Sequence, residues 1–347
     1  MRLSLTPRAA LLLLCEALLL CVCLSLCSAA NAAEDKPWVV FEGKDGPGKG
    51  KQIVFVTGDD EYYSEVGMPL IARILAEHYG FTCTVLFAIN KTTGVIDTNT
   101  QDNIPGLEAL DHADAMVIFT RFRALPDDQM KHIIDFLDAG KGILGLRTAT
   151  HAFKFDGDGS AYKKYSFNSN VAGFKGGFGR LVLGETWINH WGSHGHESTR
   201  GVFAPDAAQN PILRGIGDGE IWCFTDVYQV TLPLLPGSTH LIMGQVLTGP
   251  TPADPPLAGP KNTPMMPVAW TRTYTGPSGK PARVFTTTMG GKMGEHADWD
   301  NEALRRLLVN ATFWATGLED KIPAKADVTP VGDNPFKKGY KPQEYHP

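Results

Sequence analysis

Short apolar runs spaced by helical periodicity limit what this chain can fold into. Residues 52–57, 81–88, 115–120 and 143–146 read as buried strands, the first carrying Ile53, Val54, Phe55 and Val56 without a polar break. Between the first two runs, Pro69 suits the first turn of a helix whose apolar stripe is Leu70, Ile71, Ile74, Leu75 and His78, closed by Gly80. Between the last two, Pro126 and Asp127 open a helix with Met130, Ile133, Ile134 and Leu137 on one face and Gly140 past its end. Apolar strands alternating with amphipathic helices give a mainly parallel sheet covered on both faces, an α/β domain of three layers.

The remainder fits the same domain. Residues 155–236 are rich in glycine and aromatics without a clear period, and read as a long irregular insertion over the sheet. Strand character returns at 241–245, 268–274 and 283–288, with a proline-rich loop at 250–267. A last helix from near Asp300 aligns Leu304, Leu307, Leu308, Ala311 and Trp314. With 43% hydrophobic and 20% charged residues the chain can bury a core, which excludes whole-chain disorder. A net charge of −5 over 347 residues, with no basic stripe, argues against nucleic acid as a partner.

The start of the chain reads as a leader. Arg2 and Arg8 precede an apolar run over 9–27, and Ala30-Asn31-Ala32 offers small residues for cleavage, so residues 1–32 form a signal peptide and the mature chain begins at Ala33. The rival is an uncleaved anchor; Glu16 inside the run and the small-residue exit favour cleavage, leaving no stable membrane anchor. The expectation is an exported protein, periplasmic or secreted. Residues 33–50 are a lead-in, 51–318 the α/β domain, and 319–347 a tail on the surface. Cleavage leaves Cys83 and Cys223, either bridged or buried as inert thiols.

In open α/β sheets ligands bind beyond the carboxyl ends of the strands, which singles out the loops at 58–67, 121–125, 147–153 and after Thr288. The first carries Asp59, Asp60, Glu61 and Glu65, which could ligate a cation, do acid–base work, or cap the following helix. The run GILGLRTATHAF (142–153) has the layout of the nucleophile turn of class I glutamine amidotransferases, with Arg147 where the cysteine would stand. A thiolate mechanism is excluded there. Arg147 either clamps a polar substrate group or forms a buried ion pair, and His151 either faces the cleft or is a core histidine. The run NHWGSHGHE (189–197) brings three histidines together. His190, His194 and His196 suit zinc or a related divalent ion, metal-free substrate binding, or no role. Trp187, Trp191, Phe224, Tyr228 and Trp299 lie near these loops, as sugar-stacking faces or as core. The glycine-rich run 173–179 follows no buried strand and makes a weak phosphate cradle.

These blocks, with TDVYQV (225–230), MMPVAWTRTY (265–274) and RVFTTTMGG (283–291), resemble the ThuA-like, trehalose-utilisation family over nearly the whole mature chain. Where many members of that family carry a histidine, this chain has Arg147. The resemblance implies a flavodoxin-like, class I glutamine amidotransferase-like fold and a role in disaccharide or keto-sugar catabolism, as a hydrolase or isomerase. The alternatives are a non-catalytic carbohydrate-binding protein and a metal-dependent hydrolase of a non-sugar substrate. The expected partner is a small-molecule carbohydrate. Expected catalytic residues are Glu61, His151 and His194; expected substrate ligands are Arg121, Arg147, Asn189, Trp191 and Asp226; expected ligands of a divalent metal such as zinc are His190, His194 and His196.

Overall fold

The computed structural model describes residues 36–157 and 159–332. The leader at 1–32 and the last part of the tail, 333–347, lie outside the described residues. The chain opens with strand β1 (Trp38–Phe41) and strand β2 (Gln52–Gly58), followed by helix α1 (Ser64–Tyr79) and strand β3 (Thr82–Leu86). Strand β4 (Ala115–Thr120), helix α2 (Asp127–Asp138) and strand β5 (Gly142–Leu146) complete the first half. The second half holds β6 (Asn189–His190), β7 (Thr199–Phe203), β8 (Ile221–Cys223), β9 (Tyr228–Gln229), β10 (Thr239–Val246), β11 (Met266–Thr275), β12 (Pro281–Thr287), β13 (Lys292–Met293), β14 (His296–Ala297) and helix α3 (Glu302–Ala315).

Ten strands form one mixed sheet in the order β1-β3-β2-β4-β5-β12-β11-β10-β7-β8. Its centre, from β3 through β2, β4 and β5 to β12, is parallel. Counted along the chain, those five strands run 2-1-3-4-5, the flavodoxin-like order, with the topological switch between β2 and β4. β1 at one edge and β11, β10, β7 and β8 at the other extend it antiparallel.

Alternation along each central strand feeds two cores. Ile53 and Phe55 of β2 pack with Ile71 and Leu75 of α1 and with Leu304, Leu307 and Leu308 of α3. Val54 and Val56 pack with Met130, Ile133 and Leu137 of α2 and with Phe178, Val182 and Leu183 of the insertion.

Three expectations need correction, and one open alternative, that of the two cysteines, is resolved. Helix α1 begins at Ser64, so Pro69 lies inside it rather than in its first turn. The Ser64 hydroxyl accepts the Gly58 and Asp59 N–H groups at 3.2 and 3.1 Å, and this closure of the preceding loop sets the earlier start. The insertion does not merely lie over the sheet, because it supplies β7 and β8 to it. The tail does not simply rest on the surface: Ile322, Ala326 and Val328 are buried, α3 holds the Ala326 and Val328 carbonyls, and Tyr79 of α1 holds that of Asp327. Cys83 and Cys223 are both free and buried, so they form no bridge. Among the described residues no helix is long and apolar enough to cross a membrane.

Candidate functional site

The carboxyl ends of β2, β4, β5 and β12 bring the candidate loops together. Asp59 organises the first of them. Its side chain is buried, accepts the N–H of Glu61 at 2.8 Å and that of Tyr62, and receives the Thr148 hydroxyl from the turn after β5. Burial raises its carboxyl above the ordinary 3.8 despite those bonds.

Arg147 sits at the end of β5 with φ 45, a left-handed conformation that costs a non-glycine residue of order 1–3 kcal/mol. What holds it there is its guanidinium, which is fully buried. One terminal nitrogen donates to the carbonyls of Asp226 and Thr288 at 2.6 and 2.8 Å. The other donates to the Tyr62 hydroxyl and to Asp226 Oδ1, both at 3.0 Å. The rings of Tyr62 and Tyr228 flank the cation, their centroids 4.5 and 3.6 Å away. The substrate-clamp reading of Arg147 is therefore corrected to the buried ion pair.

Asp226 is the hub above it. Its carboxylate accepts His190 Nδ1 on Oδ2 at 2.8 Å and His194 Nδ1 on Oδ1 at 3.1 Å. Burial alone would raise this carboxyl, but Arg147 and the two imidazoles outweigh it and hold Asp226 well below the usual carboxylate range. An ionised carboxylate only accepts, so both Nδ1 atoms carry hydrogens, and in its neutral form His194 keeps a bare Nε2. His194 Nε2 lies 3.4 Å from Glu61 Oε1, two acceptors face to face. A proton or a cation between them removes the repulsion. Asp226 and, more weakly, Glu61 raise the His194 imidazole above its ordinary value.

Around this pair the other expected residues divide. Arg121 bridges Asp60 at 3.1 Å and Glu61 at 3.2 Å and stays at the rim, its side chain a quarter exposed. His151 is buried, its ring centroid 4.9 Å from Trp187 and 5.1 Å from Phe122. Burial, and then Arg121 and Arg147, hold it well below the ordinary imidazole value, so it is neutral. Asn189 is exposed on the two-residue strand β6, where alternation puts it on the face opposite His190, so it is not brought to the cluster. Trp191 is half-buried against the core and donates Nε1–H to the Lys261 carbonyl at 2.8 Å, which fixes its ring in place. His196 is exposed and outside the group able to hold an ion. Among the described residues that group is His190, His194 and Asp226, whose candidate ligand atoms lie within 4.8 Å of one another.

The periodicity missed Tyr62, Tyr228 as a wall for Arg147, and Asp298. Asp298 is buried after β14 and accepts the Phe224 N–H at 2.7 Å and the Thr225 hydroxyl at 2.6 Å, fixing the segment that presents Asp226. The available signal was the tyrosine directly after the acidic loop of β2.

A flavodoxin-like sheet with a chemistry-bearing cluster at the carboxyl ends of its strands defines the class. The match of residues 51–315 to the model of the ThuA family, described as trehalose utilisation, makes this chain a member of that family. Its role is accordingly one related to trehalose utilisation. No curated protein matches the chain. A ThuA-like protein of Parabacteroides merdae superposes with a TM-score of 0.47 at 14% identity, over 77% of this chain and 90% of that one. One of Bacteroides uniformis gives 0.45 at 15%, over 78% and 93%. The glutaminase domain of the Trypanosoma brucei CTPS gives 0.37 at 12%, over 80% and 98%.

Proposed function

We propose that the chain is an exported carbohydrate-processing enzyme that moves a proton on a disaccharide or keto-sugar, as a hydrolase or isomerase without a cysteine nucleophile. The observation that carries this reading is the buried Asp226 carboxylate joining two imidazoles, with His194 Nε2 opposite Glu61. In this arrangement Asp226 orients the rings, His194 passes a proton between its Nε2 and the ligand, and Glu61 stabilises the imidazolium or takes the proton on. His151, buried and held neutral, walls this arrangement beside Trp187, in place of the catalytic role expected of it, and Arg121 offers the remaining donors of its fork at the rim. Family membership supports the sugar, and the apolar run with its Ala30-Asn31-Ala32 exit supports export.

A second reading has its own support. The close approach of His190, His194 and Asp226 suits a divalent ion such as zinc, which would polarise a carbonyl or activate water. A non-catalytic sugar-binding protein is the third.

The test is turnover of trehalose and of its keto derivative by the mature chain, beside metal analysis of protein never exposed to chelator. His194→Ala should lower turnover by about 10²–10⁴-fold, the worth of a positioned acid–base group, without loss of fold. Full activity in that variant would remove His194 from the reaction. Near-stoichiometric metal, lost in His190→Ala/His194→Ala, would favour the metal reading, and saturable sugar binding without any product would favour the binding protein. The mass of the exported form checks cleavage before Ala33.

A further inference from the structure

The glycine-rich run 173–179, which the histidine site does not use, walls a second opening. Gly176 N–H donates to the Ser169 carbonyl at 2.9 Å and Gly177 N–H to that of Phe174 at 2.8 Å, folding the loop back on itself. Gly177 has φ 56, and a Cβ there would come within 2.0 Å of the Ser166 carbonyl oxygen, so the turn requires glycine. The cleft beside it has a volume of about 340 Å³, within the range of small-molecule sites.

Its walls are polar in both senses. Glu185 is buried, paired with Arg180, and accepts the Thr186 N–H at 2.9 Å. That pair fixes the Arg180 guanidinium at the cleft, where its remaining donors are pre-oriented. Asn168, Asn170 and Lys175 line the other side and, among the described residues, make no side-chain hydrogen bond. Two amides and two cations offer donors and acceptors at once, as the hydroxyls of a neutral sugar require. Glu185 neutralises Arg180, which leaves the exposed Lys175 as the one uncompensated charge lining the cleft, short of the converging cations that a bare anion calls for.

The cleft adjoins the histidine site. Phe167 lines it and also lies 6.3 Å, centroid to centroid, from the His151 ring. Thr186 lines it and donates its hydroxyl to the carbonyl of Thr150, directly before His151, at 2.9 Å. The next residue, Trp187, has its ring 4.9 Å from His151 and 5.8 Å from His190.

We propose that this cleft is a second sugar subsite, so that the chain takes its ligand as a di- or oligosaccharide with one unit at the histidines and another between Asn168 and Arg180. The inference rests on the sugar reading above. Calorimetric titration of the full mature chain with glucose, trehalose and cellobiose tests both. The wild type should bind a disaccharide at least about tenfold tighter than glucose, the worth of one or two well-made hydrogen bonds. That ratio should fall toward one in Asn168→Ala/Asn170→Ala and in Lys175→Ala, with the thermal midpoint unchanged because these side chains are exposed. A wild-type ratio of one, or a ratio that survives both variants, overturns the subsite while leaving the sugar reading intact. No binding of any of the three sugars defeats the sugar reading and the subsite with it.

Discussion

Arg147 stands at a strand-to-helix turn in the left-handed conformation, at the position that carries a nucleophile in the amidotransferase layout. Here the side chain goes inward, with four hydrogen bonds engaging its two terminal nitrogens and two tyrosine rings flanking it. Removing it leaves the buried Asp226 carboxylate with the two imidazoles as partners and no buried cation, a loss of about 3–5 kcal/mol by the usual cost of breaking a buried pair. Arg147→Ala should shift the urea midpoint accordingly, and a shift near zero would mean that Arg147 does not hold Asp226 in place. Asp298 gives a pH signature. Burial lifts its carboxyl from 3.8 to about 6. The folded state therefore binds this proton more tightly than the unfolded state, so the group's contribution to stability falls as pH rises from about 4 to about 6. Above that window the penalty is fully present, about 3 kcal/mol by linkage. Relative to wild type, Asp298→Asn should gain about that much between the two sides of the window, measured by denaturant unfolding; a pH-independent difference would contradict the raised value.

At the scale of elements, the segment after α3 works as a strap. Arg305 Nε donates to the Val328 carbonyl at 2.9 Å and Arg306 Nε to that of Ala326 at 3.0 Å, while the Tyr79 hydroxyl donates to that of Asp327 at 2.7 Å. Ile322 and Val328 bury beneath it, each worth about 1.5–3 kcal/mol. A chain ending at Leu318 should lose about 3–5 kcal/mol and melt lower; an unchanged melting temperature would show that the strap only covers the helices. The proline and lysine content of this stretch hid it, since one apolar residue every few positions has neither helical nor strand period. The central strands and helix α2 were legible because one period ran through each of them. The start of helix α1 was not, because the Ser64 hydroxyl closes the loop before the apolar stripe begins.

For the whole molecule, the order 2-1-3-4-5 gathers loops from β2, β4, β5 and β12 at one end of the sheet. Apolar runs spaced by amphipathic helices imply that end, and with it the acidic loop and the arginine turn, because periodicity records which residues each element must bury. The sequence also put the histidine run within reach of chemistry, but it cast Asp226 as a substrate ligand, where the structure buries its carboxylate between Arg147 and two imidazoles. Only the tertiary structure decided the partners. Asp226 meets His190 across 36 positions and Arg147 across 79, while Tyr62 meets Arg147 across 85. His196, two residues from His194, stays in solvent, and Arg147 turns inward rather than toward a ligand. Spacing along the chain states what is near in sequence and which face is apolar. Which buried charge finds which donor depends on strand order and on loops closing over long separations, and no local period carries that information.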